Sequence, residues 1–562
     1  MQRIEKILVI FKISIIVFSG IIIISSVQPY YDYDAPYFNA VASINLSNGV
    51  YTFSNIFLEE TGRDEFVGAN WIKTDQNEII PRTGPRASIF GSVAYAIGDE
   101  SGLLYVTPIF LVVFLILSER ISTKFFGKYV GLLTVLFLAT SNLIFRNSIR
   151  LQSDIIFSVF VLLGVFLLIN FFNNRKNWYI LSASSMLVFA SIIRVNGAIF
   201  FPIEFILIIG YYVINRKKIS KKHIFISFLF LLIPWVIFGI GYTMYNQYFF
   251  GDPFTNYMKE SNRQTYSSDI NELIKFENQD FENLNDYAVY LLPYQFSAIY
   301  NEKIQEKNQL HDGDILGIIF LGFLFLILFY SKLRNRKQIE IITLTIFILG
   351  VIWFHASITS EDRATHGVEG RYMIPIFIFS MMIVGFFMLE ILNNLKNKNY
   401  VLFKKTKIIM TILITLFFLI SFYFNPSVQL IISGEFKISN PEKIFEKYPL
   451  DNEGLNENSI VITNFSDPVL EYGFVPFKIK EEGVIKSESV ELLKNLILNK
   501  SEVYIFKIPF NEDEKKLIFD LQKNYNFVFK EHSKSFCKVF INNNENMVNG
   551  SDEICTKLNS YK

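Results

Sequence analysis

The chain has 562 residues, 51% of them apolar and 59 of them phenylalanine, with 53 lysines and arginines against 52 aspartates and glutamates. A net charge of +1 gives no basis for nucleic-acid binding, and the abundance of apolar residues excludes an ordinary soluble enzyme. Crossing a hydrocarbon layer of ~30 Å takes about 18 or more apolar residues in a helix. Such runs recur at 7–25, 101–118, 127–145, 153–172, 178–193, 198–214, 223–244, 313–331, 338–355, 372–391 and 406–424, which predicts an α-helical polytopic membrane protein of about eleven spans. The first run has a long apolar core and no small-residue cleavage site, so it reads as a helix and not as a signal peptide.

Lysine and arginine in short loops stay on the cytoplasmic side. Arg3 and Lys6 precede the first span. Every second connection after it is basic, with Arg120, Lys124 and Lys128, then Arg175 and Lys176, then Arg216 to Lys222, then Lys332 to Lys337, then Lys396 to Lys407. The alternate short connections hold only Arg146, Arg150, Arg194, Arg363 and Arg371. The N-terminus is therefore expected inside and the C-terminus outside.

Three expected external segments, 26–100, 246–312 and the chain after 425, are too long to be simple connectors. In the first, Pro81-Arg82-Thr83-Gly84-Pro85-Arg86 leads into a short apolar stretch ending at Gly98, which predicts a helix lying at the outer interface. Beyond Pro426, β-rich runs at 459–463, 503–506, 527–529 and 537–541 alternate with helical patterns near 488–499 and 511–523. The expected organisation is thus a transmembrane catalytic domain, 1–424, and an extracytoplasmic α/β domain, 425–562. Both cysteines, Cys537 and Cys555, fall in the second domain, as a disulfide or as two thiols.

Unusual polar residues gather on the expected outer face. Asp32 and Asp34 follow the first span, Asp154 opens the fourth, and Arg194 and Asn196 form an outer turn. Glu361, Asp362, Arg363, His366, Glu369 and Arg371 precede the tenth. Ionisable residues at a membrane boundary often mark function, although interfacial solvation or helix capping is the ordinary alternative for each. His355, His366, Glu361, Asp362 and Glu369 are neighbours in sequence but lack a tight ligand spacing, so no cofactor is expected, with a divalent metal at these residues as the lesser alternative.

The order of these features along 1–424 resembles the GT-C superfamily of polytopic glycosyltransferases, in particular the protein mannosyltransferase and aminoarabinose transferase branch. The resemblance rests on Asp34 three positions before Tyr37, the Pro81 to Gly98 entry and Ser153-Asp154. It rests further on Arg194-x-Asn196-Gly197, Phe250-Gly251-Asp252-Pro253-Phe254 and Gly370-Arg371-Tyr372-Met373-Ile374-Pro375. It implies transfer of a sugar from a polyprenyl- or dolichyl-phosphate donor to a protein, lipid or glycan acceptor on the outer side, with inversion. An acidic residue of the first external loop would serve as base, Asp34 by its spacing, with Asp32 in reserve because Tyr33 separates two acids that the aminoarabinose branch often has adjacent.

A carboxylate within reach of an acceptor hydroxyl can take its proton as the new C–O bond forms. Arg371, Arg194 and Arg86 are the candidate donor-phosphate groups, since guanidinium grips phosphate oxygens in a fork. Asp154, Tyr37, Glu369 and Tyr372 are candidate substrate contacts, Asp154 by holding the donor sugar or by orienting an arginine. Gly251-Asp252-Pro253 reads as a turn. A transporter or flippase of lipid-linked saccharides, or a non-catalytic surface-assembly protein, competes with the enzyme reading. One-sided charges and long loops facing only outward favour the enzyme. The composition, rich in Ile, Lys and Asn, suggests a microbial plasma membrane, with the endoplasmic reticulum as the alternative.

Overall fold

The computed structural model describes residues 2–25, 35–52, 71–81, 87–141, 144, 147–149, 151–215, 219–254, 337–358 and 374–398. In the C-terminal region it describes 459–462, 475–477, 480–481, 484–485, 487–498, 501–506, 521, 523–525, 527–531 and 536–541. The chain is mostly helical. Among the described residues the helices are α1 (Gln2–Ser25), α2 (Ala35–Ser47), α3 (Ser88–Phe126), α4 (Lys128–Thr140), α5 (Ser153–Asn174), α6 (Asn177–Ile193), α7 (Phe200–Asn215), α8 (Lys221–Phe250), α9 (Gln338–Ile358), α10 (Ile374–Lys398) and α11 (Ser487–Leu498). Apolar segments of this length adopt helix because only helix satisfies every backbone group within the segment. Every expected span before 313 falls on a helix, as do those at 338–355 and 372–391; 313–331 and 406–424 lie outside the described residues.

Among the described residues, four helical segments are long and apolar enough to cross a membrane: Ser101–Phe126, Ser153–Asn174, Gly197–Asn215 and Lys221–Phe250. The expected boundary at Gly98 coincides with a break inside α3, where Gly98 and Asp99 (φ 50°) leave the helical conformation. The expected run 127–145 is cut short in α4, which ends at Thr140 with Ser141 extended.

Two compact units divide the chain. The first comprises Met1–Pro29, Ile97–Met244 and Asn262–Ser439, and the second comprises Tyr30–Ala96, Tyr245–Ser261 and Asn440–Lys562. In the first, α5 and α6 form a close antiparallel pair that leaves no room for a side chain at Gly164: a Cβ there would stand 2.7 Å from Leu187 Cγ. Within this unit α1 is joined to α3 by a partly buried polar cluster. Lys12 Nζ contacts Glu119 Oε1 and donates to Thr123 Oγ1 at 3.1 Å, and Thr123 Oγ1 donates to Glu119 at 2.7 Å. Pairing offsets the desolvation of the buried Lys12 and the partly buried Glu119.

In the second unit, strands β1 (Trp71–Lys73) and β2 (Ile79–Pro81) form an antiparallel hairpin inside the first long loop. Thr74 Oγ1 accepts from the amides of Gln76 (3.3 Å) and Glu78 (3.1 Å), and Asn77 takes a left-handed φ of 57°, so the turn is built by its own polar residues. Ile72 and Ile80 then pack on Phe250 with Tyr51, Tyr245 and Phe249. The Tyr51 and Tyr245 hydroxyls meet at 3.2 Å. Burial, assisted by Tyr245, holds the Tyr51 phenol well above its ordinary value, so it remains protonated at physiological pH.

The C-terminal part holds a five-stranded mixed sheet. With β3 (Ile460–Ile462), β4 (Val475–Phe477), β7 (Val503–Phe506), β8 (Phe527–Glu531) and β9 (Phe536–Ile541), the strand order is β4-β3-β7-β9-β8. β3 pairs in parallel with β4 and β7, while β9 is antiparallel to β7 and β8. All three residues of β3, the strand between β4 and β7, are buried, so both of its faces are covered. A separate hairpin, β5 (Lys480–Glu481) with β6 (Val484–Ile485), lies between β4 and α11. β3, β7, β8 and β9 occupy the runs read as strands from the sequence; β4 and the β5–β6 hairpin were not foreseen. Cys537, buried in β9, is disulfide-bonded.

Candidate functional site

The described site is built where α5 begins and α6 ends. α5 opens after Gln152, which is extended (φ −119°, ψ 151°) and whose amide donates to Thr107 Oγ1 on α3 at 3.3 Å. Asp154 therefore sits in the first helical turn, where a carboxylate complements the positive end of the helix dipole. α6 runs back beside α5 and stops at Arg194, whose amide still donates to Ala190 O at 2.9 Å while its own backbone turns extended (φ −142°, ψ 120°).

The antiparallel return brings Arg194 onto the start of α5. Arg194 Nε donates to Ser153 Oγ at 3.1 Å, across 41 positions of sequence, and Arg194 Nη1 lies 2.8 Å from Asp154 Oδ1. The side chains are 6% and 2% exposed, so this is a buried ion pair. Gln152 Oε1, buried next to it, accepts no hydrogen bond among the described residues.

Gly197 explains the spacing of Arg194-x-x-Gly. The 3₁₀ turn Val195–Ile199 folds so tightly that the Gly197 amide reaches Arg194 O at 2.7 Å, and a Cβ on Gly197 would fall 2.8 Å from Ser191 Cα. Any larger residue has to displace the turn that carries Arg194.

Glu204, the lone acid in the apolar run 198–214, escaped the sequence reading because one charge does not disqualify a span. It is fully buried in α7 and ties three helices together: Ser184 of α6 donates to Oε1 at 2.8 Å, and the Trp235 indole of α8 donates to Oε2 at 3.1 Å. The Ser184–Glu204 bond spans the same α6–α7 connection that presents Arg194. Glu204→Leu strands a buried hydroxyl and a buried indole N–H, each costing about 1–3 kcal/mol when unsatisfied. Glu204→Gln keeps an acceptor for Ser184. Thermal melting in detergent should rank wild type above Glu204→Gln and Glu204→Leu last. Equal melting of Leu and wild type would remove any stabilising part for the bridge.

Of the other residues singled out from the sequence, Asp32, Asp34, Arg86, Glu369, Arg371 and Tyr372 lie outside the described residues. α2 begins at Ala35, directly after Asp34, and Tyr37 is in its first turn. Phe250 to Phe254 forms a turn, with Gly251 at φ 66° and Asp252 Oδ1 accepting from the Phe254 amide at 2.9 Å. Among the described residues no group of three or more His, Cys, Asp or Glu is placed to hold a metal ion. The candidate ligands at 361–369 lie outside those residues, and the side chain of His355 does too.

Residues 87–238, which contain both halves of the buried pair, match the family model described as dolichyl-phosphate-mannose-protein mannosyltransferase. No curated protein sequence matches the chain. Among solved structures, the chain is similar to the archaeal oligosaccharyltransferase AglB from Archaeoglobus fulgidus, solved with an inhibitory peptide and a dolichol-phosphate. That similarity has a TM-score of 0.53 at 12% identity, over 88% of this chain and 69% of that one. It is also similar to ArnT from Cupriavidus metallidurans bound to undecaprenyl phosphate, with a TM-score of 0.51 at 9% identity, over 94% of this chain and 97% of that one. At these identities the two structures bear on the fold alone; together with the mannosyltransferase family match over 87–238 they bear out the resemblance expected from the sequence.

Proposed function

We propose that this chain is a multi-pass membrane glycosyltransferase. It moves a sugar from a polyprenyl- or dolichyl-phosphate donor to an acceptor on the extracytoplasmic face, with inversion at the anomeric carbon. The observation that carries this reading is the family match over 87–238, which encloses the buried Asp154–Arg194 pair in a chain whose fold is similar to those of AglB and ArnT. The isoprenoid phosphates in both similar structures support a lipid-phosphate partner.

In the proposed reaction Asp34 accepts the proton of the acceptor hydroxyl, with Asp32 in reserve. The acceptor oxygen bonds to the anomeric carbon from the side opposite the phosphate. The bond from that carbon to the phosphate oxygen breaks, and the lipid phosphate leaves with the electron pair. Arg371 and Arg86 stabilise the charge that develops on the departing phosphate. Arg194 takes a supporting part, because Asp154 and Ser153 already engage its guanidinium. Asp154 orients Arg194, while Tyr37, Glu369 and Tyr372 contact the substrates.

The proposed frame is about eleven spans with the N-terminus in the cytoplasm. The membrane domain covers 1–424 and the extracytoplasmic domain 425–562, in a plasma membrane. The test is an assay of membranes containing the chain with a radiolabelled polyprenyl-phosphate sugar and a panel of protein, lipid and glycan acceptors. Label should move to an acceptor. Movement of the intact lipid between leaflets without transfer would replace this reading with a transporter.

A further inference from the structure

We propose that the end of the bundle where α5 passes into α6 and α8 begins is a binding site for the phosphate headgroup of an anionic phospholipid. The inference is independent of the sugar-transfer reading. α5 ends in a left-handed residue, Arg175 (φ 57°, ψ 24°), whose amide donates to Phe171 O at 2.7 Å. That turn sends its side chain to the end of α7. There Arg175 Nε donates to the Tyr211 hydroxyl at 3.2 Å, and Tyr211 in turn donates to Phe172 O at 3.2 Å. Tyr211 is buried while Arg175 is exposed, so a fixed anchor holds an exposed guanidinium in one place. Such a fork is suited to phosphate oxygens.

α8 is docked against the same corner. Ser227 donates to Asn177 Oδ1 at 2.9 Å, and the His223 ring lies parallel to Phe171, at 9° and 6.2 Å. This brings exposed Lys221 and Lys222 to the end that already shows Arg175 and Lys176. Among the described residues none of these four cations is paired with a carboxylate. Glu340, which reaches Asn173 at 3.4 Å, is engaged by Lys337 at 3.5 Å.

The surroundings select a lipid over a soluble anion. α5, α7 and α8 are membrane-length apolar helices, so side chains at their ends lie at headgroup depth. Large apolar side chains are also exposed here: Phe225 (71%) and Trp178 (50%), the latter stacked on Tyr179, lie next to the cations in sequence, and Val213 (64%) and Ile214 (79%) follow Tyr211 at the end of α7. Fixed positive charge with exposed apolar and indole surface at one boundary fits an amphiphile carrying a phosphate.

The test uses the full chain purified in detergent, with bound lipid measured by native mass spectrometry and by the shift in melting temperature. Phosphatidylglycerol, phosphatidylcholine and inorganic phosphate are the probes. Phosphatidylglycerol should bind and raise the melting temperature, and the other two should not. Arg175→Gln should weaken phosphatidylglycerol binding by about tenfold. Tyr211→Phe should weaken it in the same direction while keeping all four charges. Arg120→Gln removes a cation elsewhere, 81% exposed on α3, and should leave binding unchanged. An equal loss in Arg120→Gln and Arg175→Gln reduces the effect to general charge attraction and overturns the site. An equal shift from inorganic phosphate overturns its assignment to lipid.

Discussion

Asp34→Asn should lower sugar transfer by about 10²- to 10⁴-fold, the range that a positioned general base contributes. The amide matches the carboxylate in shape and can still accept a hydrogen bond from the acceptor hydroxyl. It cannot take the proton, so the barrier rises where the C–O bond forms while ground-state binding stays. Donor affinity, measured with a polyprenyl-phosphate sugar, should therefore remain near wild type as turnover falls. Asp32→Asn should have the smaller effect, because Asp34 is the acid that directly precedes α2 and stands three positions before Tyr37. A reversed order of the two variants moves the base to Asp32. Unimpaired transfer in both sinks the assignment to this loop.

The second large effect is expected at the buried pair. Asp154→Ala leaves the Arg194 guanidinium buried beside Ser153 without its counter-charge, and breaking such a pair costs about 3–5 kcal/mol. Loss of Asp154 should appear as a lower melting temperature and reduced yield of folded chain in detergent. Removing both charges is different in kind. The double variant Asp154→Leu with Arg194→Met replaces the pair with apolar groups of similar size, a change that is often neutral for stability. It should recover the melting temperature while transfer stays low, which separates folding from function. If the double variant regains both, the pair has no part in the reaction. If Asp154→Ala melts like wild type, the buried ion pair is not holding the α5–α6 ends together.

The two expectations differ in how they arise. The role of Asp34 comes from the resemblance and from a motif local in sequence, and it needs the transfer assay. The pairing of Asp154 with Arg194 comes from the return of α6 along α5. Sequence order put each residue at an outer helix end, with Arg194 as a phosphate group and Asp154 as a sugar contact or an orienting group. The 2.8 Å contact and the burial of both favour the orienting part.

Helix positions were legible from the residues because hydrophobic runs are local. A run long enough to span must close its backbone bonds within itself, whatever its neighbours are. The strand runs of the C-terminal sheet were legible from their β-branched and aromatic composition. β4 and β5–β6 were too short to register, and β4 pairs with β3 across an intervening stretch of sequence. The β1–β2 hairpin was missed for a related reason. Its signal, Thr74 to Glu78 between Trp71-Ile72 and Ile79-Ile80, is a few residues long, and its stability comes from packing on Phe250 and Tyr245 far along the chain.

By itself the sequence determined the membrane class, the helical segments and the family resemblance, since these depend on composition, local length and the order of motifs. Only the tertiary structure decided that Arg194 is committed to Asp154 and Ser153, that Gly197 leaves no room for a side chain, and that Glu204 is shared by Ser184 and Trp235. Buried polar groups must find partners in a low-dielectric interior, and the packing of helices distant in sequence determines which partners are within reach.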